Sequence, residues 1–443
     1  MRSRALHTVA LLALLSAAAC SKDPRFDFSA SGEGSGSVQV QPREPVSPDQ
    51  RSVLLYIAAG FNSLSGYLAN DIEDLSAGVL PGRSSSKDPV LLVLSRLPRD
   101  LSYPDYTDPT SPVLYRLWAG SDGVPVRDTL RIWSEDTPLC RAETLSEAFE
   151  EVNKAFPGNR YGAIFSSHAS GWLPPRYYDN PTSYEESGSA GKGLRSAGRT
   201  AAGPFPPLEQ GEWPAVKSIG MDSGDNVWEM DLDSFAEAIP FCLDYLLFDA
   251  CLMGCVEVAY QLRGKASLVG FSQAEVLAEG FVYSRLSQQL LTQNPSPQAV
   301  CQDYFNYYDA QDGMMRSATI SLVDTREMEP LSQVCAALFQ KYRAQLATLS
   351  GSRVQGYFRY NRHFFYDLQD ILVQAGITPE EQAQLQEALD RCLVYKAATP
   401  SFLSFSIDTF SGLSMYLPSM GSSILDTYYR NHMAWNQATG LVN

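Results

Sequence analysis

Short apolar runs recur along this chain, and amphipathic segments with helical spacing separate several of them. The first run, residues 52–58, precedes apolar positions spaced three or four residues apart between Leu64 and Leu75. Buried strands that alternate with amphipathic helices are typical of a parallel sheet covered on both faces. The pattern therefore predicts an α/β fold with a mostly parallel sheet. The other runs expected to form strands are residues 90–94, 113–118, 161–166, 245–248 and 268–271.

The pattern changes near residue 317. A strand is expected at residues 318–323, helices at about 328–346, 366–374 and 379–395, and short strands at 402–407 and 413–417. A chain of this length is too long for one small core, so we expect two domains. The expected division is a first domain at residues 51–316 and a C-terminal α/β domain at residues 317–443.

The N-terminal residues 1–19 have the features of a secretory signal, with basic residues, an apolar stretch and then small residues. Cys20 follows and resembles the cysteine of a bacterial lipobox, which becomes a lipid-modified N-terminus. Ordinary secretion with cleavage nearby is the alternative. Residues 20–50 are expected to form a flexible tether. We therefore expect a protein exported to the bacterial cell envelope, on its periplasmic or surface face, and held to the membrane by its lipid alone.

The formal net charge is −16, from 50 acidic and 34 basic residues. A surface of this sign repels polyanions, which argues against nucleic acid as a partner, and it favours basic substrates. We expect a monomer. None of the eight cysteines shows the paired spacing of a metal site. Six of them are expected as free thiols in the core: Cys140, Cys242, Cys255, Cys301, Cys335 and Cys392.

Two motifs place reactive side chains after predicted strands. His168 lies in a Ser-His-Ala-Ser-Gly-Trp string, and Cys251 lies in an Asp-Ala-Cys-Leu-Met-Gly string. Open α/β sheets usually carry their chemistry at such strand ends. A histidine within reach of a thiol can take its proton, and a helix expected from about Met253 would lower the pKa of Cys251. Position alone also allows a buried thiol and a packing histidine without chemistry.

Asp249 lies two residues before Cys251, and side chains two apart in a strand face the same way. A carboxylate beside a nucleophile can bind a cationic side chain of the substrate. The other interpretation is that Asp249 caps the following turn.

Between the two motifs, residues 173–217 form an insertion rich in Gly, Ser and Pro that carries several Lys and Arg residues. A long loop inside a compact domain is usually functional or disordered. We expect it to be exposed and open to proteolysis.

Together these strings resemble the clostripain family of cysteine peptidases, which have a caspase-like fold. The shared order is a strand, His-x-Ser-Gly-Trp, a basic insertion, Asp-Ala-Cys-Leu-Met-Gly and a helix. The segments 53–59 (with Asn62), 257–260, 272–275 and 412–418 are also similar, so the likeness spans roughly residues 50–440. The resemblance implies a caspase-like catalytic domain at residues 51–316.

The resemblance also implies roles for single residues. His168 and Cys251 would form a catalytic dyad that cleaves after Arg or Lys. Asp249 would be the acidic floor of the pocket for that side chain, and Glu279 would be a second pocket acid. The backbone N–H groups of Ala169 and Cys251 would form the oxyanion hole.

Members of the family are often made as zymogens and cut between the two motifs after a basic residue. Lys192 and Arg195 are the candidate self-cleavage sites in this chain. No cofactor is required, but some relatives depend on calcium. That raises the question for Asp222, Asp225 and Asp231, which show no ligand pattern that settles it, so no metal site is assigned.

Ala169 departs from the family, which usually has glycine directly after the histidine. If this residue needs a positive φ, alanine costs about 1 kcal/mol or more. Loss of one oxyanion donor would cost about 10²–10³ in rate. With a negative φ the change is nearly harmless.

The sequence thus favours a lipid-anchored, exported cysteine endopeptidase that acts on proteins or peptides with Arg or Lys at P1 through a thioester acyl-enzyme. One alternative is a catalytically weak or inactive relative that acts as a surface binding lipoprotein, which only Ala169 supports. The other is a hydrolase of another class, such as an amidase or a transpeptidase, that uses the same thiol.

Overall fold

The computed structural model describes residues 50–99, 110–157, 159–175, 219–222, 228–358 and 363–443. Cys20, Lys192 and Arg195 lie outside these ranges, as does most of the 173–217 insertion. The lipid anchor and the cleavage sites therefore stay predictions. Within the described ranges, no helix is both long enough and apolar enough to cross a membrane.

The described strands form one large sheet and three small ones. Nine belong to one large sheet: β1 (Ser52–Ala58), β2 (Val90–Ser95), β3 (Val113–Ala119), β4 (Pro125–Ile132), β5 (Arg160–Ser166), β8 (Leu243–Asp249), β9 (Ala266–Phe271), β10 (Thr319–Asp324) and β12 (Leu393–Ala398). The others form three two-stranded pairs: β6 (Ile219–Asp222) with β7 (Trp228–Met230), β11 (Tyr366–Asp367) with β15 (Ser414–Met415), and β13 (Ser401–Phe402) with β14 (Phe405–Ser406).

The order of the large sheet is β12-β10-β9-β8-β5-β1-β2-β3-β4. The five central strands, from β9 to β2, are parallel, and two antiparallel strands extend the sheet at each side. This is the mostly parallel, helix-flanked sheet that the apolar runs predict. Its central strands are buried on both faces, which explains why their sequences are continuous apolar runs.

The C-terminal part of the chain belongs to the same sheet, which corrects the expected division at residue 317. Strand β10 pairs antiparallel with β9, for instance Val323 with Val269, and β12 pairs with β10. The change of pattern near residue 317 therefore marks an antiparallel extension of one sheet rather than the sheet of a second domain.

Helices cover both faces of the sheet: α1 (Ser65–Ala77), α2 (Ala142–Ala155), α3 (Leu232–Glu237), α4 (Val256–Gln261), α5 (Tyr283–Leu290), α6 (Pro297–Asp309), α7 (Met328–Lys341), α8 (Arg343–Leu346), α9 (Leu368–Ala375), α10 (Pro379–Cys392), α11 (Ser423–His432) and α12 (Ala434–Thr439). They bury two apolar layers, one on each face. On β8, Leu246 and Phe248 enter one layer, whereas Tyr245, Leu247 and the following Cys251 enter the other. This alternation fixes the side of the sheet on which each motif residue lies.

Five of the six thiols expected in the core are buried, and none of the six is in a disulfide. Cys242 is the exception, because it lies in the exposed turn before β8. Strand β4 was not predicted from the sequence. Its exposed and half-buried positions alternate at the sheet edge, so it has no apolar run.

Candidate active site

Strands β5 and β8 are adjacent and parallel, so the segments that follow them emerge at the same edge of the sheet. Their register pairs Ser166 with Asp249 at the last position. The backbone N–H of Ser167 also donates to the carbonyl of Asp249, at 3.4 Å. The His168 and Cys251 loops therefore start side by side, as the two strand-end motifs predict.

Cys251 is fully buried, and its thiol is held by the backbone of Val276. The N–H of Val276 donates to Sγ at 3.1 Å, and Sγ lies 3.6 Å from the carbonyl of the same residue. The helix expected from about Met253 begins only at Val256 and has six residues. A backbone N–H from the 272–278 segment is thus in contact with the sulfur, and the next helix starts five residues further along the chain.

The 272–278 segment is hydrogen-bonded along the whole Cys251 loop. The N–H of Leu252 donates to the carbonyl of Ala274 at 2.8 Å, and that of Gly254 donates to Ser272 at 2.7 Å. Leu252 has a φ of 55°, a left-handed conformation shared by one other non-glycine residue among those described. Such strain persists where surrounding contacts hold it, and it is common next to functional groups.

His168 is also buried, with 1% of its surface exposed. Its Nε2 lies 2.9 Å from the hydroxyl of Ser63, in the loop that precedes α1. Its carbonyl accepts from the N–H of Gly220, at 3.1 Å. Ser63 is thus hydrogen-bonded to the imidazole, and its place could not be predicted because a lone serine in a loop has no distinguishing pattern.

Ala169 is buried and is not among the described residues with positive φ. Alanine therefore adopts this backbone conformation without the penalty that a left-handed conformation would impose. The departure from the family glycine carries no backbone strain.

The Asp249 carboxylate is fully buried and faces the same side of the sheet as Cys251. Its Oδ2 accepts hydrogen bonds from the Ser166 hydroxyl at 3.2 Å and from the Tyr283 hydroxyl at 2.5 Å. Gly280, with a φ of 63°, lies directly against this carboxylate, and a Cβ there would be 2.2 Å from Oδ2. Only glycine fits this turn. Asp249 does not cap α4, because the N-cap of that helix is Cys255. Its alternative role as a cap of the turn after β8 stays a prediction.

Glu279 is exposed, although the next residue touches the Asp249 carboxylate. The structure thus places Glu279 at the rim and not beside the buried acid. Its role as a second pocket acid stays a prediction.

The acidic residues considered for calcium have other roles where they are described. Asp222 is buried in an ion pair with Arg96 and also accepts from the N–H of Leu139. Asp231 caps α3 through the N–H of Ser234, at 2.7 Å. Asp225 lies outside the described residues, and the described part of the chain holds no group of three or more potential metal ligands.

A buried carboxylate, Glu257, joins the Cys251 loop to the C-terminal segment. It accepts from the N–H of Tyr416 at 2.9 Å and from the hydroxyl of Tyr429 at 2.7 Å. Both tyrosine rings pack on Trp172, the last residue of the histidine motif. Burial raises the pKa of Glu257 to about 7.

This raised pKa predicts a pH-dependent stability. The folded state favours the protonated acid, so its contribution is fully present below the ordinary pKa of 4.5 and is lost as pH rises through about 7. The free energy of unfolding of the wild type should fall as pH rises over this window. Glu257→Gln should therefore remove about 3 kcal/mol of that fall. Urea unfolding at pH 5 and pH 8 measures it. An identical decline in both proteins would contradict the assignment.

A thiol, an imidazole and a buried carboxylate thus lie at one edge of the mostly parallel sheet of an α/β protein. A model of the Clostripain family matches residues 208–440, more than half of the chain. The chain belongs to the clostripain family of cysteine proteases. The matched range contains Asp249 and Cys251, whereas His168 precedes it. No curated protein sequence matches the chain.

Several solved structures resemble the chain over most of its length. An inactive zymogen protease from Parabacteroides distasonis is 24% identical, with a TM-score of 0.66, and the match covers 90% of this chain and 99% of that one. A secreted cysteine protease from Bacteroides thetaiotaomicron, in complex with an irreversible peptide inhibitor, is 22% identical, with a TM-score of 0.67 and coverages of 88% and 99%. Another structure of a secreted cysteine protease from that organism is 20% identical, with a TM-score of 0.65 and coverages of 89% and 99%. These likenesses show the caspase-like fold.

Proposed function

We propose that this chain is a cysteine endopeptidase that cleaves proteins or peptides after Arg or Lys. The observation that carries the proposal is the placement of His168, Cys251 and Asp249 at the adjacent ends of β5 and β8. Asp249 and Cys251 face the same side, so a pocket acid and a nucleophile are available to one substrate residue.

The chemistry follows from these groups. A cationic P1 side chain binds Asp249, and the Cys251 sulfur attacks the carbonyl carbon that follows it. His168 takes the thiol proton and passes it to the leaving amine, which leaves a thioester that water then hydrolyses. In this proposal the backbone N–H groups of Ala169 and Cys251 stabilise the oxyanion.

The described conformation is closed. Cys251 and Asp249 are fully buried and His168 nearly so, while residues 272–280 lie over the thiol and the carboxylate. A closed site is what an inactive precursor requires, and one structure of the same fold is that of an inactive zymogen. We include in the proposal that a cut in the 173–217 insertion, at Lys192 or Arg195, lets residues 272–280 move.

Self-processing has a simple expected outcome. The purified chain should separate into two fragments on a denaturing gel, whereas Cys251→Ala should stay intact, because the nucleophile would make the cut. Adding active wild type to Cys251→Ala distinguishes a cut between molecules from one within a molecule. Wild type that stays in one piece while it cleaves peptides would remove self-processing from the proposal.

The peptidase activity is tested with fluorogenic peptides that carry Arg, Lys or a neutral residue at P1. The processed chain should turn over the first two and leave the neutral peptide largely uncut, with and without calcium compared in parallel. A preference for a neutral P1 residue, or amine transfer in place of hydrolysis, would favour the amidase or transpeptidase alternative.

Ala169→Gly should leave kcat/KM for an Arg peptide within about threefold of wild type, because alanine carries no backbone strain there. Steady-state kinetics measures it. A gain of tenfold or more would mean that alanine impairs the oxyanion hole. It would also support the alternative that this chain is a catalytically weak or inactive relative, for which Ala169 is the only evidence.

Export and a lipid on Cys20 belong to the same proposal. Cys20→Ser should abolish incorporation of a labelled fatty acid and release the protein from the membrane fraction of producing cells. Retention of the variant in that fraction would contradict the anchor.

A further inference from the structure

The imidazole of His168 has a hydroxyl partner that lies outside both strand-end motifs. The Oγ of Ser63 is 2.9 Å from Nε2 of His168, which is hydrogen-bond distance. Ser63 lies in the loop between β1 and α1, and β1 pairs in parallel with β5, the strand before the histidine loop. The contact therefore comes from the neighbouring strand end, at the same edge of the sheet.

The shape of the Ser63 loop is maintained by its neighbours rather than by Ser63 itself. The side-chain amide of Asn62 donates to the carbonyl of Met221 at 2.7 Å, and its Oδ1 accepts from the N–H of Leu64 at 2.7 Å. Ser63 does not cap α1, because the N-cap of that helix is Leu64, without a side-chain hydrogen bond. The Ser63 hydroxyl faces His168 instead, so its contact serves the imidazole and not the loop.

The histidine loop is fixed relative to the Ser63 loop. The Ser167 hydroxyl donates to the carbonyl of Ala59 and accepts from the N–H of Met221, at 3.3 Å. Residues 219–222 thus bond to both loops, since Met221 also accepts from the side chain that precedes Ser63. The imidazole therefore meets the hydroxyl within one hydrogen-bonded unit of three chain segments.

A hydroxyl suits an imidazole that changes its protonation state. It accepts a hydrogen bond from a ring N–H and donates one to a ring nitrogen that carries a lone pair. The contact with Nε2 is therefore available to either neutral form of His168 and to the protonated form. A hydrogen bond to one ring nitrogen also sets the orientation of the whole imidazole.

We propose that Ser63 is a positioning residue for His168: its hydroxyl holds the imidazole in the orientation in which the ring exchanges a proton with Cys251. This rests on the proposed function of His168 and Cys251, and it extends that function to a residue that acts through the imidazole.

The test compares Ser63→Ala, which removes the hydroxyl, with Ser63→Thr, which keeps it. Ser63 is exposed, so there is room for the added methyl group. In the processed chain, kcat for an Arg peptide should fall about tenfold in Ser63→Ala with KM unchanged, because the P1 pocket is untouched. Ser63→Thr should recover most of the wild-type kcat.

Ser76→Ala is the matched control, since its hydroxyl donates to the Ile72 carbonyl within α1, at 2.7 Å. It should keep the wild-type kcat. Ser63→Ala should unfold at the wild-type temperature, whereas a structural role alone would lower this temperature. A wild-type kcat in Ser63→Ala, or a loss that Ser63→Thr does not reverse, would overturn the role of Ser63 and leave the proposed function intact.

Alkylation by iodoacetamide separates this inference from the proposed specificity, because the reagent is neutral and does not need a P1 pocket. If wild type cleaves no Arg or Lys peptide, the proposed function fails, and the rate of alkylation at Cys251 then decides the role of Ser63. This rate should fall about tenfold in Ser63→Ala and recover in Ser63→Thr. Equal rates in wild type and Ser63→Ala, or a wild-type rate no higher than that of the exposed Cys242, would overturn the role.

Discussion

Cys251→Ala is expected to lower the turnover of Arg and Lys peptides by about 10⁴–10⁶-fold, leaving no measurable activity. The thiol is the atom that would form the thioester, and no neighbouring group replaces a nucleophile when it is removed. The loss should appear in kcat, because the pocket around Asp249 is untouched. Stopped and steady-state peptide-cleavage assays of the processed protein measure this loss in kcat.

Cys242→Ala is the matched control, since it removes the exposed thiol before the same strand, β8. It should keep wild-type turnover and wild-type labelling by thiol reagents at Cys251. Measurable peptide cleavage by pure Cys251→Ala would contradict the assignment of the nucleophile, and loss of activity in both variants would point to a general effect of removing thiols.

Asp249→Asn is expected to reduce kcat/KM for Arg and Lys peptides by about 10²–10⁴-fold. Its buried carboxylate would pair with the P1 cation, and removal of one partner of a buried pair costs about 3–5 kcal/mol. Peptides with a neutral P1 residue should lose far less, so the ratio between the two classes should collapse. Asparagine still accepts from Ser166 and Tyr283, which keeps the site folded.

Glu279→Gln is the comparison that separates the two acids predicted for the pocket. Glu279 is exposed at the rim in this conformation, so its removal should cost at most about tenfold. A larger loss in Glu279→Gln than in Asp249→Asn would reverse their roles and would require that residues 272–280 rearrange to bring Glu279 inward.

The central sheet could be predicted because each buried strand is a continuous apolar run. Strands β1, β5 and β8 appear where those runs lie, and the strand-end motifs follow from them. The edge strand β4 could not be predicted in this way, since alternating polar positions at a sheet edge are also typical of an exposed loop. The membership of β10 in the same sheet escaped prediction for another reason: antiparallel pairing with β9 is a long-range contact.

The site was only partly predictable. His168, Cys251 and Asp249 lie in strings at the ends of predicted strands. Because β5 and β8 pair in parallel, these strings emerge at one edge of the sheet. Ser63 reaches His168 from the loop before α1 through tertiary packing, so local sequence gives no sign of it. The same holds for Val276, whose backbone rather than its side chain contacts the thiol.

The proposed function requires that Cys251 is a nucleophile beside a pocket for basic side chains. Labelling of processed protein with an arginyl chloromethyl ketone, followed by peptide mapping, tests it most directly. A single adduct on Cys251 is expected, which His168→Ala should prevent and Asp249→Asn should slow at least about 10²-fold. Adducts spread over several thiols, or equal labelling by a neutral chloromethyl ketone, would contradict it.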